Sequence, residues 1–294
     1  MEICLKNGGL EAKICSKGAE LVSLKREGRE YLWSADPAYW NRHAPILFPF
    51  VGSLKGKQYR YGGKTYDMGQ HGFARDMEFT TVTQTDTKLV MALSETEETM
   101  RNFPFRFLLE LSYELTQDGL IVGWRVKNTD DKVMYFSIGG HPAFCCPMEE
   151  KGKQSDYMLR FKKDGKPLQE IVSAVIVEGG LAGKDTLEFG LEDGYLPITA
   201  DLFETDTIVL EDGQADEVSL FDPEGKEYVR VSFPMPLVGI WTPIRKNAPF
   251  LCIEPWCGRC DDADFDGELP EKRWGNALKP GEVFETAYTI FVSL

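Results

Sequence analysis

Long hydrophobic runs are missing from this chain of 294 residues. No window approaches the roughly 18–20 apolar residues of a membrane span, so no membrane partner is expected. Positive charge is in deficit: 33 Lys and Arg face 47 Asp and Glu, a formal net charge of −14. Nucleic-acid binding draws on counterion release by a basic surface, and no basic stripe is present, which argues against that partner class. The acidic balance also disfavours anionic membranes and, more mildly, a strongly anionic substrate. The opening run Met1-Glu2-Ile3-Cys4-Leu5-Lys6-Asn7-Gly8 turns polar too soon for an export signal. The seven cysteines are odd in number and follow no framework spacing. The expectation is therefore reduced thiols in the cytoplasm. Internal repeats, heptads, low-complexity linkers and strand–helix alternation are all lacking. That leaves a single domain over residues 1–294 and excludes a doubly wound α/β fold. Histidine is scarce, with three in the chain.

What is present is a succession of short β-rich runs separated by turn residues. Glu2–Lys6, Leu10–Ser16, Leu21–Arg26 and Glu30–Trp33 flank glycine turns. Gln58–Tyr61 and Lys64–Asp67 flank Gly62-Gly63. In Leu120–Lys127 the apolar Leu120, Val122, Trp124 and Val126 alternate with other residues, a two-residue period with one apolar face. Ile46–Val51 contains Pro49, which suits an edge or a bend. Glu95–Asn102 is the best helix candidate, and residues 149–194 give no orderable pattern. Met77–Gln84, Thr87–Ser94, Phe105–Thr116, Val133–Ile138, Thr207–Leu210, Glu217–Phe221, Tyr228–Phe233, Leu237–Thr242, Pro249–Ile253 and Val283–Ser293 complete the strands. The pattern predicts an all-β fold, a large antiparallel β-sandwich or barrel with few short helices.

Three polar groups sit where apolar runs give way to glycine or proline. His71 lies in Met68-Gly69-Gln70-His71-Gly72-Phe73-Ala74-Arg75-Asp76, between glycines that permit a tight turn. His141 lies between Gly140 and Pro142. Glu254 follows Phe250-Leu251-Cys252-Ile253 and precedes Pro255-Trp256, a strand-end carboxylate on this reading. Desolvation there raises its pKa and makes it a competent base. Imidazole exchanges protons near neutrality.

These stretches, with Ala44-Pro45-Ile46-Leu47-Phe48-Pro49-Phe50-Val51-Gly52, Gly140-His141-Pro142-Ala143-Phe144 and Cys252-Ile253-Glu254-Pro255-Trp256-Cys257-Gly258, stand in an order that resembles the aldose 1-epimerase (galactose mutarotase) family. They are most similar to its subgroup around the lac-operon X protein. The resemblance implies a β-supersandwich and interconversion of the α and β anomers of a free aldohexose, a small-molecule partner, by a monomer or homodimer. It also implies no metal and no cofactor. By the family's pattern Glu254 is the base on the C1 hydroxyl, His141 the acid toward the ring oxygen, and His71 a third catalytic group holding the developing charge. Arg75, Arg42, Asp206 and Trp256 are the candidate substrate contacts. The sugar-phosphate branch carries an arginine three residues before the first histidine, where this chain has Met68, which lowers the expectation of a phosphorylated substrate.

Rival readings are a non-catalytic carbohydrate-binding or sensor protein, a hexose-6-phosphate mutarotase, and a glycoside hydrolase or lyase, for which a second carboxylate is needed. Cys257-Gly258-Arg259-Cys260 has redox or zinc spacing, and Cys252 would complete three thiolates, but structural reduced cysteines fit better without a second pair. The acidic run Asp261–Gly267 lacks the full spacing of a calcium loop. His43 reads as loop structure.

Overall fold

A computed structural model describes residues 1–294 apart from residues 200 and 245 and the side chain of residue 150. Two large sheets dominate. One has eight strands, running in spatial order Leu181–Gly190, Glu170–Val177, Ile208–Leu210, Leu237–Trp241, Phe250–Cys257, Ile138–Gly140 and Ile46–Leu47, with Ala143–Cys145 also on Phe250–Cys257. The other has ten, with Gly119–Asn128 flanked by Phe107–Leu115 and Val283–Val292 near its middle. Pairing within both is antiparallel. A four-stranded sheet of the first 30 residues and two hairpin-sized pairs complete the strands.

Side chains alternate between the faces of a strand, and that alternation builds the core. Leu120, Val122, Trp124 and Val126 are all buried. They join Leu109, Leu111 and Ile290 in one apolar cluster, which also takes in Ile208, Leu210, Val238, Ile240, Leu251 and Ile253 of the eight-stranded sheet. The two sheets thus share a core. The short helix spans Glu97–Asn102 and is capped by Thr96, whose hydroxyl accepts from the Thr99 N–H while the Thr99 hydroxyl accepts from the Thr96 N–H.

Two differences from the sequence reading matter here. Residues 149–194 contain strands Met158–Lys163, Glu170–Val177 and Leu181–Gly190. The last is an outer strand with mostly exposed side chains, so no core face stamped a period on its sequence. The strand predicted to end at Ile253 runs on through Cys257. No helix among the described residues is long and apolar enough to cross a membrane.

Candidate active site

The strand Phe250–Cys257 is buried at every position. Leu251 and Ile253 face the core shared with the other large sheet. Cys252 and Phe250 pack with Trp33 and Ala143 on the opposite face, where Glu254 and Trp256 line a pocket of about 250 Å³. Glu254 is therefore a mid-strand residue, opposite Gly239 on the neighbouring strand, and not at a strand end. The desolvation argument holds for a different reason: the strand is covered on both faces, so an unbroken apolar run surrounds the carboxylate. Glycines make room for Trp256. A Cβ at Gly139 would meet its Cδ1 at 2.4 Å and one at Gly239 its Cη2 at 2.3 Å, so the flat indole lies across both flanking strands.

His141 follows the strand Ile138–Gly140 directly. Its Nε2 lies 3.3 Å from Glu254 Oε2, with only 8% and 2% of the two side chains exposed. Trp40 stacks on the imidazole at 4.7 Å between ring centroids, and Trp241 meets it edge-on at 5.5 Å. His141 Nδ1, Glu254 Oε2 and Trp256 Nε1 are buried without a hydrogen-bond partner. Buried polar atoms are normally satisfied, so three such atoms around one pocket mark a place for a ligand's own polar groups.

His71 arrives from the opposite side. Its N–H donates to the Gly52 carbonyl at 2.9 Å, and the Gly52 N–H donates to His71 Nδ1 at 3.1 Å. The second bond leaves the neutral ring's proton on Nε2, a donor. The ring sits 5.6 Å from that of His141. Gly72 is the position in this turn that only glycine can fill: its φ is +70°, and a Cβ would lie 2.3 Å from the Phe48 carbonyl oxygen. Gly69 carries no such demand, and His71 itself adopts φ +66°.

The electrostatics divide sharply. Burial pushes Glu254 well above the usual carboxylate range; the Asp206 charge pushes the same way and the Trp256 indole opposes. Burial brings His141 down to about 3, with Arg75 and Arg42 pushing in the same direction. His71 is held well below its ordinary value by burial, with His141, Arg75 and Arg42 adding to the effect. The Glu254–His141 pair therefore favours holding its one proton on the carboxyl.

Arg75 and Asp206 also line the pocket. The Arg75 Nη2 donates to the Gln70 carbonyl at 2.8 Å. Asp206 has φ +75° and accepts from the Thr207 hydroxyl at 3.0 Å. Six of the seven expected site residues thus converge. Arg42 does not join them: it lines the adjoining groove and pairs with Asp76 at 2.8 Å. His43 is in that groove too, its N–H bonded to Glu20 at 2.7 Å. Trp40, Trp241, Gln70, Thr207, Ile176 and Gly180 line the pocket as well and were not among the expected site residues, and so does Cys260, which the sequence reading took as a structural thiol. Ile176 and Gly180 fall in the stretch that gave no pattern.

Among the described residues one group has metal-ligand composition: His141, Cys252 and Glu254, each offering a donor atom within 4.8 Å of the others. The trio Cys252, Cys257 and Cys260 forms no such group, because Cys252 and Cys257 lie on opposite sides of their strand. All seven cysteines are free.

The family model for aldose 1-epimerase matches residues 1–290. Protein LacX of Lactococcus lactis subsp. lactis is 32% identical over 99% of both chains. The crystal structure of a galactose mutarotase related enzyme from Lactobacillus acidophilus superposes with a TM-score of 0.93 at 33% identity, over 100% of this chain and 98% of that one. A galactose mutarotase-like protein from Lactobacillus casei gives the same TM-score and identity, over 100% of both chains.

Proposed function

The chain belongs to the aldose 1-epimerase family, and from that premise we propose that it is a mutarotase, interconverting the α and β anomers of a free aldohexose by opening and closing the sugar ring. The observation that carries this reading is the buried contact of 3.3 Å between Glu254 and His141 at the pocket wall. Mutarotation breaks the bond from C1 to the ring oxygen while the C1 hydroxyl loses its proton. Both oxygens are attached to one carbon, so the acid and the base must be neighbours.

Ring opening needs the pair's one proton on His141. The Glu254 carboxylate takes the proton of the C1 hydroxyl, and the His141 imidazolium gives its proton to the ring oxygen. The C1–ring oxygen bond breaks and an aldehyde forms. The pair then holds its proton on Glu254, the arrangement that burial favours. Rotation about C1–C2 turns the other face of the aldehyde to the ring hydroxyl, and the same transfers in reverse close the ring. Positioned acid–base groups of this kind contribute about 10²–10⁴-fold each. The His71 Nε2–H, its tautomer fixed by Gly52, donates to the oxygen on which charge develops. Arg75 and Asp206 bond the remaining hydroxyls, and Trp256 offers an apolar wall for the sugar's C–H face. The steps move protons and break and remake one C–O bond with no net oxidation or reduction, so the chemistry asks for no redox cofactor.

A phosphorylated hexose is the second reading. The groove beyond Arg75 carries Lys13, Lys17, Lys25 and Arg42, but Glu2, Glu20, Glu30 and Asp76 share it, which favours the uncharged sugar. Polarimetry of freshly dissolved α-D-galactose, α-D-glucose and α-D-glucose 6-phosphate tests both. Accelerated relaxation of a free sugar supports the proposal; acceleration of the phosphate alone supports the second reading. Binding of sugar without acceleration of any would make the protein a sugar binder.

A further inference from the structure

The proton chemistry proposed above leaves one buried side chain on the pocket face without a task. Cys252 stands two residues before Glu254 on the same strand, and is paired in register with Ala143 and Trp241. It is fully buried, and its Sγ, an imidazole nitrogen of His141 and a carboxylate oxygen of Glu254 lie within 4.8 Å of one another. Two of these three groups have a buried atom with no partner, His141 Nδ1 and Glu254 Oε2. Thiolate, imidazole and carboxylate together are a donor set for zinc-like ions, and three protein ligands with a fourth position open is a common arrangement. Thiolate and carboxylate also balance a dication, so the filled site is neutral, which a buried setting favours.

We infer that His141, Cys252 and Glu254 form a binding site for a thiophilic divalent cation of the zinc class, and that its occupancy shuts the pocket off. Binding expels the Cys252 thiol proton and the one proton of the His141–Glu254 pair to solvent. It forms three metal–ligand bonds in exchange for metal-bound waters, with no change of oxidation state. The cation then occupies the acid and the base at once, leaving neither for the sugar. The inhibitory half of this inference rests on the mutarotase reading of His141 and Glu254; the binding half does not.

The test uses the full chain with Zn²⁺ and Co²⁺ as probes. Calorimetry with Zn²⁺ is expected to show binding, Co²⁺ to give a thiolate-to-metal charge-transfer absorption, and Zn²⁺ to suppress anomer exchange followed by NMR. Cys252→Ala and the near-isosteric Cys252→Ser are expected to keep exchange in the absence of metal and to lose the absorption. Their Zn²⁺ affinity is expected to fall by at least the roughly 10–100-fold that loss of even an outer-shell partner costs. X-ray absorption of the zinc-loaded wild type needs no variant and is expected to show a sulfur at about 2.3 Å. No Zn²⁺ binding, a zinc shell without sulfur, or inhibition unchanged in folded Cys252 variants would overturn the inference. Cys252-dependent binding to a wild type that exchanges no sugar would leave the metal site standing and remove the mutarotase reading instead.

Discussion

Two buried acid–base pairs in this molecule are built to opposite ends. Lys272 and Asp261 meet at 2.7 Å with 4% of each side chain exposed. Asp261 Oδ2 also accepts from the Lys55 N–H at 2.9 Å, so both carboxylate oxygens are occupied. Nearby, Arg259 is held by Glu211 and Asp262. Glu254 and His141 are buried as deeply, yet their contact is longer, at 3.3 Å, and Oε2 and Nδ1 have no hydrogen-bond partner. The first pair anchors the chain just beyond the pocket. On the proposed function, the second keeps capacity in reserve for the sugar. The two pairs are alike in burial and differ in the number of bonds left unmade.

The comparison breaks if the two pairs respond alike to substitution. Glu254→Gln and His141→Asn are each expected to lower mutarotation by about 10²–10⁴-fold while leaving the protein folded, read by polarimetry beside thermal melting. Because the Glu254 carboxyl is raised, its contribution to stability is present at low pH and lost as pH rises through the folded value. Glutamine removes that penalty, so Glu254→Gln is expected to melt no lower than wild type at neutral pH. Lys272→Met does the reverse. It strands a buried carboxylate and is expected to cost about 3–5 kcal/mol in denaturant unfolding, with much smaller change in turnover per folded molecule.

Acid sharpens the contrast. His141, lowered by burial from 6.5 to about 3, takes up a proton more readily when unfolded. This residue's contribution to stability therefore falls as pH drops below about 6.5, by roughly 2 kcal/mol between about pH 7 and about pH 5, opposite in sign to that of the raised Glu254 carboxyl. The stability difference between wild type and His141→Asn, from denaturant midpoints at the two pH values, checks this and is expected to move against the variant as pH rises. At the small end, Arg42→Ala removes a partly exposed pair with Asp76 and is expected to change stability by about 0–1 kcal/mol. Its effect on KM is expected to be smaller than that of Arg75→Ala, measured in the same assay.

Much of the fold was legible because the core-facing strands carry their period in the sequence, as Leu120–Val126 does. Leu181–Gly190 was not, since an outer strand with exposed side chains has no buried face to dictate alternation. The site was legible where chemistry sits in distinctive neighbourhoods, as His71, His141 and Glu254 do. Arg42 shows the limit: a guanidinium on an irregular loop can reach Asp76 or the pocket, and only the folded chain decides. Trp40, on a loop, and Trp241, on a strand, were missed because an aromatic in either place reads the same whether it packs on core or on an imidazole. The continuation of the strand past Glu254 was missed because Pro255 looked like a terminator. In the fold Pro255 sits within the strand, in register with Val238.

The central claim is that His141 and Glu254 handle protons as one unit. The most direct test is exchange NMR of galactose anomers with the wild type, Glu254→Gln, His141→Asn and the double variant. If the two residues act together, the double variant is expected to be about as slow as the slower single, because either loss already disables the unit. Losses that multiply, or a single variant that retains wild-type exchange, would contradict the account.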